Sequence, residues 1–230
     1  MGACQGGFLS RLLGMRNLLI LLAIVFVGAL GYGVYLGFQA QELNEIAGYA
    51  ENDRGVVSDI PKLIEQVAKA QKDALITERE VNSWLATQLT ARQEGVLADY
   101  ADLKIKGVWV RFEEEEGGRA EIIIEREIYG RLQTVSMYVR IEREKREKKG
   151  GFVNYIRRDG GRLWGLVPLG GRFGVARVPQ GFIFFTHDSF KALEDLFEKE
   201  MLLLQDGVMG QEGGRISIEE KQLRISFQKS

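Results

Sequence analysis

The sequence TEREVNSWLATQL, residues 77–89, decides how the rest of the chain is interpreted, because it combines a helix start with an apolar stripe. Thr77 and Glu80 have the spacing of a capping box, in which each side chain bonds to the other residue's backbone amide. Large apolar residues then recur at helical spacing and form one stripe, made of Val81, Trp84, Leu85 and Leu89. The stripe must be covered, either by the protein's own core or by an apolar ligand.

The overall composition is that of a folded protein with one exceptional segment. Of 230 residues, 45% are apolar and 27% are charged, and the net charge is −1. These values argue against a disordered chain and against a protein that coats nucleic acid. Residues 18–38, however, form a run of 21 residues without a charge. As a helix this run is about 31 Å long, which matches the hydrocarbon core of a bilayer.

This apolar run is predicted to be an uncleaved signal-anchor. Cleavable signal peptides have a shorter apolar core, of about 7–15 residues, that ends at small residues. Here Phe38 stands where cleavage after Ala40 would need a small side chain. The sequence therefore predicts a cytoplasmic N-terminus (1–16), a transmembrane helix (17–38), a juxtamembrane linker (39–57) and a folded domain (58–230).

The charges on either side of the span predict its orientation. Arg11 and Arg16 precede the span, whereas Glu42 and Glu45 follow it. Because positive charge is retained on the cytoplasmic side, we expect the N-terminus in the cytoplasm and the domain outside it. The predicted location is the inner (plasma) membrane, with an extracytoplasmic, periplasmic domain.

Two further features of the N-terminal region bear on partners and modification. Ala29, Gly33 and Gly37 repeat every four residues, a spacing that would let two membrane helices pack closely as a homodimer. Cys4 precedes the span, whereas a lipoprotein cysteine follows it, so juxtamembrane acylation is the alternative. As the only cysteine, Cys4 leaves the domain without a disulfide, and a domain of this length can be stabilised by its core alone.

Helical patterns come first in the domain, and alternating patterns follow. Ser58 or Asp59 is expected to cap a helix with Pro61 in its first turn. Residues 73–76 break this helix, and the helix that begins at Thr77 continues to about Thr90. From residue 103 the apolar residues alternate in five runs separated by short polar turns, namely 103–112, 120–130, 132–142, 152–158 and 162–171.

The five runs predict an antiparallel meander, because short polar turns join successive strands. In the first run the apolar phase shifts across Gly107, which predicts a bulge there. A third helix is expected to start at Asp188 or its neighbour, and residues 215–227 read as a closing hairpin. The predicted fold class is α+β, with an N-terminal transmembrane helix and a long antiparallel meander packed on amphipathic helices.

No motif in the sequence predicts catalysis, a cofactor or a metal. His187 is the only histidine, and the zinc and redox spacings of His and Cys are absent. Residues 186–189, THDS, bring a hydroxyl, an imidazole and a carboxylate together, but helix capping explains them better than a nucleophilic triad does. The acidic run at 113–116 could bind a cation, although such a run is usually a solvated turn.

A basic stretch is the strongest charge feature of the domain. Residues 143–177 carry ten Lys or Arg against three acids. Beside a bilayer such a stretch could contact anionic head groups, and the residues predicted to do so are Arg143, Lys145, Arg146, Lys148, Lys149, Arg157 and Arg158. The alternative is a set of solvated hairpin tips. Nucleic acid is not expected as a partner, because the usual basic–aromatic patterns are absent.

The order of these segments resembles a bacterial class of membrane-anchored proteins with a tubular lipid-binding (TULIP-like) half-module. Its helix pattern is matched by Thr77, Glu80, Asn82 and Leu85, and its G-x-L-x-L-P segment is matched loosely by Gly161, Leu163, Leu166 and Pro168. The resemblance implies a long curved sheet with the helix in its concave face. It implies no catalytic residues.

The resemblance leads to the function expected from the sequence, which is binding of an apolar ligand or lipid in a groove near the bilayer. The residues predicted to line the groove are Val81, Trp84, Leu85, Leu89, Val108, Val110, Val135, Met137 and Val139. The alternative is a non-enzymatic scaffold or assembly subunit of a membrane or envelope complex, in which the same stripe is plain core. An enzyme is the third class, and it would need a carboxylate pair that the sequence does not locate.

Overall fold

The computed structural model describes residues 6–55, 57–92, 104–128, 130–145, 152–204, 208–209 and 214–227. It is an α+β protein with an N-terminal apolar helix and a large antiparallel sheet, as predicted. The helices are α1 (Gly6–Phe38), α2 (Ile60–Ala70), α3 (Glu78–Arg92), α4 (His187–Leu196) and α5 (Glu198–Leu204). Within α1, Asn17–Phe38 is long and apolar enough to cross a membrane, and its most apolar part is not buried in the protein.

The strands form two antiparallel sheets. The larger sheet contains β2 (Lys104–Glu113), β3 (Arg119–Ile128), β4 (Arg131–Lys145), β5 (Phe152–Arg158), β6 (Arg162–Leu163), β7 (Val167–Phe173) and β8 (Ala176–Pro179). The smaller sheet contains β1 (Ala74–Thr77), β9 (Gly214–Glu219) and β10 (Gln222–Phe227), with β10 in the middle. The closing hairpin expected from the sequence is therefore present as β9 and β10.

Strands β2 to β5 pair in succession, whereas the fifth run of the predicted meander, 162–171, is divided by a turn into β6 and the start of β7. Strand β7 then returns to β4 instead of pairing with β5. The long strand β4 has two partners on one side, because its residues 139–145 pair with β5 and its residues 135–137 pair with β7. Strand β6 forms a short hairpin with β7, and β8 pairs with the other side of β7. Strand β2 has a neighbour on one side only, so it is an edge strand of the larger sheet.

The smaller sheet contains a strand that the sequence did not predict. Residues 73–76 were expected to be a break between two helices, whereas β1 occupies this stretch and pairs with β10. The Asp73 carboxylate also accepts a hydrogen bond from the backbone amide of Phe227 at 2.9 Å. Four residues are too few for a clear alternation, and their partner strand lies at the other end of the chain, so local patterns could not show the pairing.

Both helix starts predicted from capping residues are confirmed. At α2 the Asp59 carboxylate accepts a hydrogen bond from the amide of Lys62, and Pro61 lies in the first turn. At α3 the amide of Glu80 donates to the Thr77 hydroxyl at 3.2 Å, and the amide of Thr77 donates to the Glu80 carboxylate at 2.8 Å. These reciprocal bonds satisfy two of the amides that a helix start leaves unpaired.

The bulge predicted at Gly107 is also confirmed, and the structure gives its reason. The register between β2 and β3 shifts between Ile105 and Gly107. A Cβ atom at position 107 would lie 2.6 Å from both the Glu125 carboxylate and the Trp109 indole nitrogen. These two groups hydrogen-bond to each other at 2.6 Å, so glycine at 107 leaves room for the bond.

The third helix departs from its prediction. The periodicity predicted one helix with an apolar stripe through Phe190, Leu193, Phe197, Met201 and Leu204, whereas the structure has α4 and α5 with a break at Phe197. No side chain caps α4, because the Thr186 hydroxyl donates to the carbonyl of Ile183 instead. Met201 lies half exposed, so the apolar stripe does not continue into the core through α5.

The segment that the sequence indicated as a linker, residues 39–57, packs against the larger sheet over its first half. Leu43 and Ile46 are buried in a small cluster with Trp109 and Ile123, on the face opposite to the main core. Tyr49 lies edge-on to Trp109, with 4.9 Å between the ring centroids. The chain therefore crosses this face of the sheet directly after α1.

Candidate functional site

The residues predicted to line an apolar groove lie together in the structure, as a packed core between α3 and the larger sheet. Seven of them are buried in one cluster, namely Trp84, Leu85, Leu89, Val108, Val135, Met137 and Val139. Val81 and Val110 are partly buried and pack against the same cluster. Side chains of α2 and α4 complete it, for example Ile64 and Phe190. The stripe of α3 is thus covered by the protein itself.

A cavity of about 310 Å³ lies beside Trp84, at the outer side of this core. It is lined by Val57, Ser58, Asp59, Pro61, Trp84, Gln88, Arg92 and Glu200. The lining is mainly polar, and it includes an ion pair between Arg92 and Glu200 at 2.5 Å. Trp84 itself packs against Phe197 with 5.5 Å between the ring centroids. The cavity is not an apolar slot between helix and sheet.

Two polar residues of α3 are more deeply buried than its apolar stripe, and sequence reasoning missed their role. Glu78 and Asn82 are both buried, although neither belongs to the predicted stripe. They lie at helical spacing with Leu85 and Leu89, so these four residues form the central line of the buried face. This spacing is the sequence signal that could have identified them, because Glu78 and Asn82 lie one helical turn apart and on the same line as two buried leucines.

Glu78 and Asn82 bond to the exposed backbone of the edge strand β2. The Asn82 amide accepts a hydrogen bond from the Val110 amide at 2.7 Å and donates to the Val110 carbonyl at 2.9 Å. The Glu78 carboxylate accepts from the Phe112 amide at 2.7 Å. The two side chains therefore replace a neighbouring strand, which protects β2 from pairing with another chain.

The same two side chains hold the segment that follows α1. The backbone amide of Ala47 donates to the Glu78 carboxylate at 2.9 Å, and the Ala47 carbonyl accepts from the Asn82 amide at 2.9 Å. We call Glu78 and Asn82, with the backbone groups of Ala47, Val110 and Phe112, the polar clamp. Burial raises the pKa of Glu78, and the hydrogen bonds from Phe112 and Ala47 oppose this effect.

A second polar network lies on the opposite face of the larger sheet, around a fully buried carboxylate. Glu121 pairs with Arg111 at 2.8 Å and with Arg172 at 3.3 Å, and it accepts a hydrogen bond from the Ser136 hydroxyl at 2.5 Å. Arg172 also donates to the Tyr138 hydroxyl at 2.9 Å, and burial raises the pKa of this tyrosine. Because a buried carboxylate needs such partners, the network is explained by structure alone.

Two carboxylates of the acidic run at 113–116 take part in an arginine contact. Glu113 and Glu115 both pair with the buried Arg119, at 2.5 and 2.8 Å. Arg119 also donates to the carbonyl of Gly160 at 2.7 Å and lies over the Tyr138 ring. Among the residues that the structure describes, no group of three or more His, Cys, Asp or Glu side chains is arranged to hold a metal ion.

The basic stretch is only partly described, and it lies at the far end of β4. Arg146, Lys148 and Lys149 lie outside the described residues, as does Cys4. Lys145 ends β4, Arg143 is half-buried and Arg158 is exposed. Arg157 pairs with Glu142 at 3.3 Å, a surface pair of the kind that stabilises little.

The other end of β4 lies at the end of α1. The Gln133 side chain donates to the Gly37 carbonyl at 3.2 Å. From Gln133 to Lys145 the strand is about 40 Å long, so the basic stretch and the helix end lie far apart along it. Of the predicted membrane-surface residues that the structure describes, Arg143 and Lys145 lie at the end of β4 away from α1, whereas Arg157 and Arg158 lie on β5 opposite Arg140 and Val139, nearer the middle of β4.

The end of α1 is bonded to the larger sheet. The Leu36 carbonyl accepts a hydrogen bond from the Val175 amide at 3.2 Å, and the Gln41 amide donates to the Thr134 hydroxyl at 2.9 Å. Gly174, with a φ of +53°, lies directly over the chain, and a Cβ there would clash with the carbonyl oxygens of residues 36, 37 and 39. These contacts satisfy carbonyls that a helix end leaves unpaired.

The docking of α1 uses part of the small-residue face predicted for dimerisation. A Cβ at Gly37 would lie 3.8 Å from the Cβ of Phe173 in the same chain, whereas no atom lies within 4 Å of the corresponding position at Gly33. The last residue of the predicted Ala29–Gly33–Gly37 face thus contacts the protein's own sheet. Dimerisation through the remaining part of the face stays a prediction.

Among the residues that the structure describes, the most exposed apolar side chains outside α1 lie at the tip of the β6–β7 hairpin. Trp164 is 82% exposed and Leu166 is 79% exposed. Trp164 has a φ of +53° and Gly165 a φ of +72°. A positive φ is unusual for a bulky residue, so the surrounding hairpin must impose it. Leu166, which the resemblance aligned with a packing position, is therefore at the surface.

The base of this hairpin is fixed in the protein. Leu163 and Leu169 are buried around Tyr138, and the Gly160 amide donates to the Leu169 carbonyl at 2.9 Å. The Leu169 amide donates to the carbonyl of Gly161 at 2.9 Å. The tip is held out from the surface on this base, and we call it the Trp164 hairpin.

No family model, no curated protein and no solved structure matches the chain. The resemblance to the tubular lipid-binding class accordingly stays a prediction from the sequence.

Replacing Asn82 by alanine is predicted to destabilise the protein. The change removes three hydrogen bonds in a fully buried place and leaves the amide and carbonyl of Val110 unpaired. We expect the free energy of unfolding to fall by about 2–4 kcal/mol, measured by urea titration of the detergent-solubilised chain. Thr90→Ala, which removes an exposed hydroxyl of the same helix, should cost less than about 0.5 kcal/mol. Equal losses in both variants would show that the clamp contributes nothing of its own.

The raised pKa of Glu78 predicts a pH dependence of stability. A carboxyl group whose pKa is higher in the folded than in the unfolded state contributes most below its unfolded pKa, and this contribution is lost as the pH rises through the folded value. The stability advantage of the wild type over Glu78→Gln should therefore shrink as the pH rises above about 4, the ordinary pKa of a glutamate. Parallel urea titrations measure the difference, with Glu220→Gln at an exposed turn as the control. An advantage that grows with pH would mean that the amides of Phe112 and Ala47 outweigh burial.

Proposed function

We propose that this chain is a single-pass membrane-anchored, non-enzymatic assembly subunit whose extracytoplasmic domain presents the Trp164 hairpin to a protein partner. The observation that carries the proposal is this hairpin, a rigid base with a tryptophan and a leucine held in solvent. Exposed apolar patches of this kind mark interaction sites. Tryptophan and arginine are enriched among the residues that dominate interface energies, and Arg162, two residues before Trp164, is exposed.

The anchor supports this proposal, because it fixes the domain relative to the bilayer. Asn17–Phe38 is apolar and uncovered, and the arginines before it favour an N-terminus in the cytoplasm. The bonds from Val175 and Gln133 to the end of α1 replace a flexible linker. A domain held in this way presents its surface at a set height and orientation, which suits a subunit that positions another protein.

The position of the hairpin favours a protein partner over the bilayer. Phe173, at one end of β7, contacts Gly37 of α1, whereas Val167, at the other end, leads into the tip. The strand between them is about 20 Å long, and the tip extends beyond it. The Trp164 hairpin thus lies at the end of β7 that is remote from the membrane helix.

The lipid groove expected from the sequence would need a slot between α3 and the larger sheet. The nine residues predicted to line it instead pack as one core, so the geometry favours the assembly subunit. The curved sheet around α3, which the resemblance implies, likewise stays a prediction. Native mass spectrometry of the full chain, followed by organic extraction, tests the lipid-groove hypothesis. A bound lipid that is lost in a folded Trp84→Arg variant would support a groove, and a protein mass without any bound lipid would contradict it.

Photocrosslinking in the cells that make the protein is predicted to trap a partner at the hairpin. With p-benzoylphenylalanine at position 164 or 166 of the full chain, we expect one and the same discrete protein adduct. The control is the same amino acid at Leu75, which is 50% exposed on β1 of the smaller sheet and should give no such adduct.

A substitution series makes the crosslinking result quantitative. Trp164→Ala combined with Leu166→Ala should reduce co-purification of the trapped partner at least about tenfold, because truncating a tryptophan hot spot typically costs more than 2 kcal/mol of binding. The melting temperature should stay unchanged, since both side chains are at the surface. Adducts that appear equally at position 75, or co-purification that survives the double substitution, would contradict the proposal.

A further inference from the structure

We propose that a second apolar surface, formed by Phe182, Phe184 and Leu132 beside the end of α1, inserts into the head-group layer of the bilayer. This inference rests on the membrane anchoring proposed above and adds a contact that orients the domain. Phe184 is 77% exposed, and Phe182 and Leu132 are each about half exposed. We call these three residues the membrane collar.

Phe182 and Phe184 lie close to the end of α1, because Ile183 between them packs against the strand that contacts this helix end. Ile183 packs against Gly170 and Gly171 of β7, and Phe173 of the same strand contacts Gly37. Two to three strand residues, about 7–10 Å, separate these glycines from Phe173. The two phenylalanines are therefore within roughly 10–15 Å of the last turn of α1, on the segment that returns towards it after β8.

A chain of hydrogen bonds fixes this segment to the helix end. The Arg126 guanidinium donates to the Ser189 hydroxyl of α4 at 2.8 Å and to the Gln133 side chain at 2.9 Å. Gln133 in turn donates to the Gly37 carbonyl at 3.2 Å. Leu132 precedes Gln133 directly in β4, so it lies at the same end of the strand. The start of α4, the end of β4 and the end of α1 thus form one bonded unit.

The depth of the bilayer interface matches the position of the collar. Phe38 ends the apolar span, and the stacked rings of Tyr32 and Tyr35 mark the depth at which aromatic residues gather in membranes. The head-group region extends about 5–8 Å beyond the hydrocarbon on each side, and apolar side chains of interfacial segments reach about 5–10 Å into it. The proposal places the exposed phenylalanines, at roughly 10–15 Å from the last turn of α1, in the outer part of this layer.

Depth-dependent quenching tests the collar in the full chain. With Cys4→Ser as background, a fluorophore is attached to a single cysteine at Phe184→Cys, Leu132→Cys, Leu75→Cys or Val25→Cys. The protein is reconstituted into vesicles of phosphatidylcholine and phosphatidylglycerol that carry brominated acyl chains. Val25 lies within α1 and reports whether the helix is inserted, whereas Leu75 is the exposed control on the smaller sheet.

We expect strong quenching at position 25, and quenching at positions 184 and 132 at least about threefold stronger than at position 75. Quenching at position 25 alone would overturn the collar and leave the anchor intact. Equal quenching at positions 75, 132 and 184 would also overturn it, because the whole domain would then lie on the lipid. No quenching at position 25 would refute the proposed anchoring itself, and the collar with it.

Discussion

The polar clamp is the interaction on which the rest of the structure depends, because its hydrogen bonds join three parts of the chain that are far apart in sequence. Glu78 and Asn82 project from the first turns of α3, and they bond to the backbone of β2 on one side and of Ala47 on the other. Glu78, Asn82 and Phe112 are buried, and Ala47 and Val110 are partly buried, so each lost bond would leave a polar group unpaired with little access to water. The clamp therefore favours a single arrangement of α3, β2 and the segment after α1. This explains why α3, which has a broad buried face, packs beside the edge strand in one register.

The clamp also couples α1 to the domain. The end of α1 is bonded to the turn between β7 and β8 and to β4, and the chain then crosses the sheet through Leu43 and Ile46 before it reaches Ala47. A movement of α1 relative to the sheet would break bonds at both ends of this crossing. In a flexible tether the backbone groups would be solvated and could move independently. The packed crossing makes the domain an extension of α1, and in the proposed anchored arrangement a surface such as the Trp164 hairpin would keep a defined place above the bilayer.

The two faces of the larger sheet have different roles. One face carries the apolar core shared with α2, α3 and α4, and the residues predicted as a ligand groove belong to it. The other face holds the Glu121 network and the Trp109 cluster, which keep β2, β3, β4 and β7 in register through charged and aromatic contacts. With both faces occupied, the surfaces left for other molecules are edges and tips. This explains why the functional proposals concern a hairpin tip and the end of a strand rather than a groove.

The sequence by itself determined what depends on neighbouring residues: the apolar span, the caps at Asp59 and Thr77, the alternating strands and the bulge at Gly107. Each of these is a local property, since a cap needs a side chain within three residues of the amide it bonds and a span needs only an uninterrupted apolar run. The apolar stripe of α3 was equally clear, but periodicity states only that a face is buried and not what covers it. The tertiary structure alone decided that the protein's own sheet covers the stripe, that β1 joins the closing hairpin, and that Glu78 and Asn82 replace a strand beside β2. It also decided that Trp164 and Leu166 are at the surface, although their apolar character suggested packing. The reason is physical: these features depend on partners far away along the chain, and the burial of a side chain is fixed only when the other strands and helices are in place.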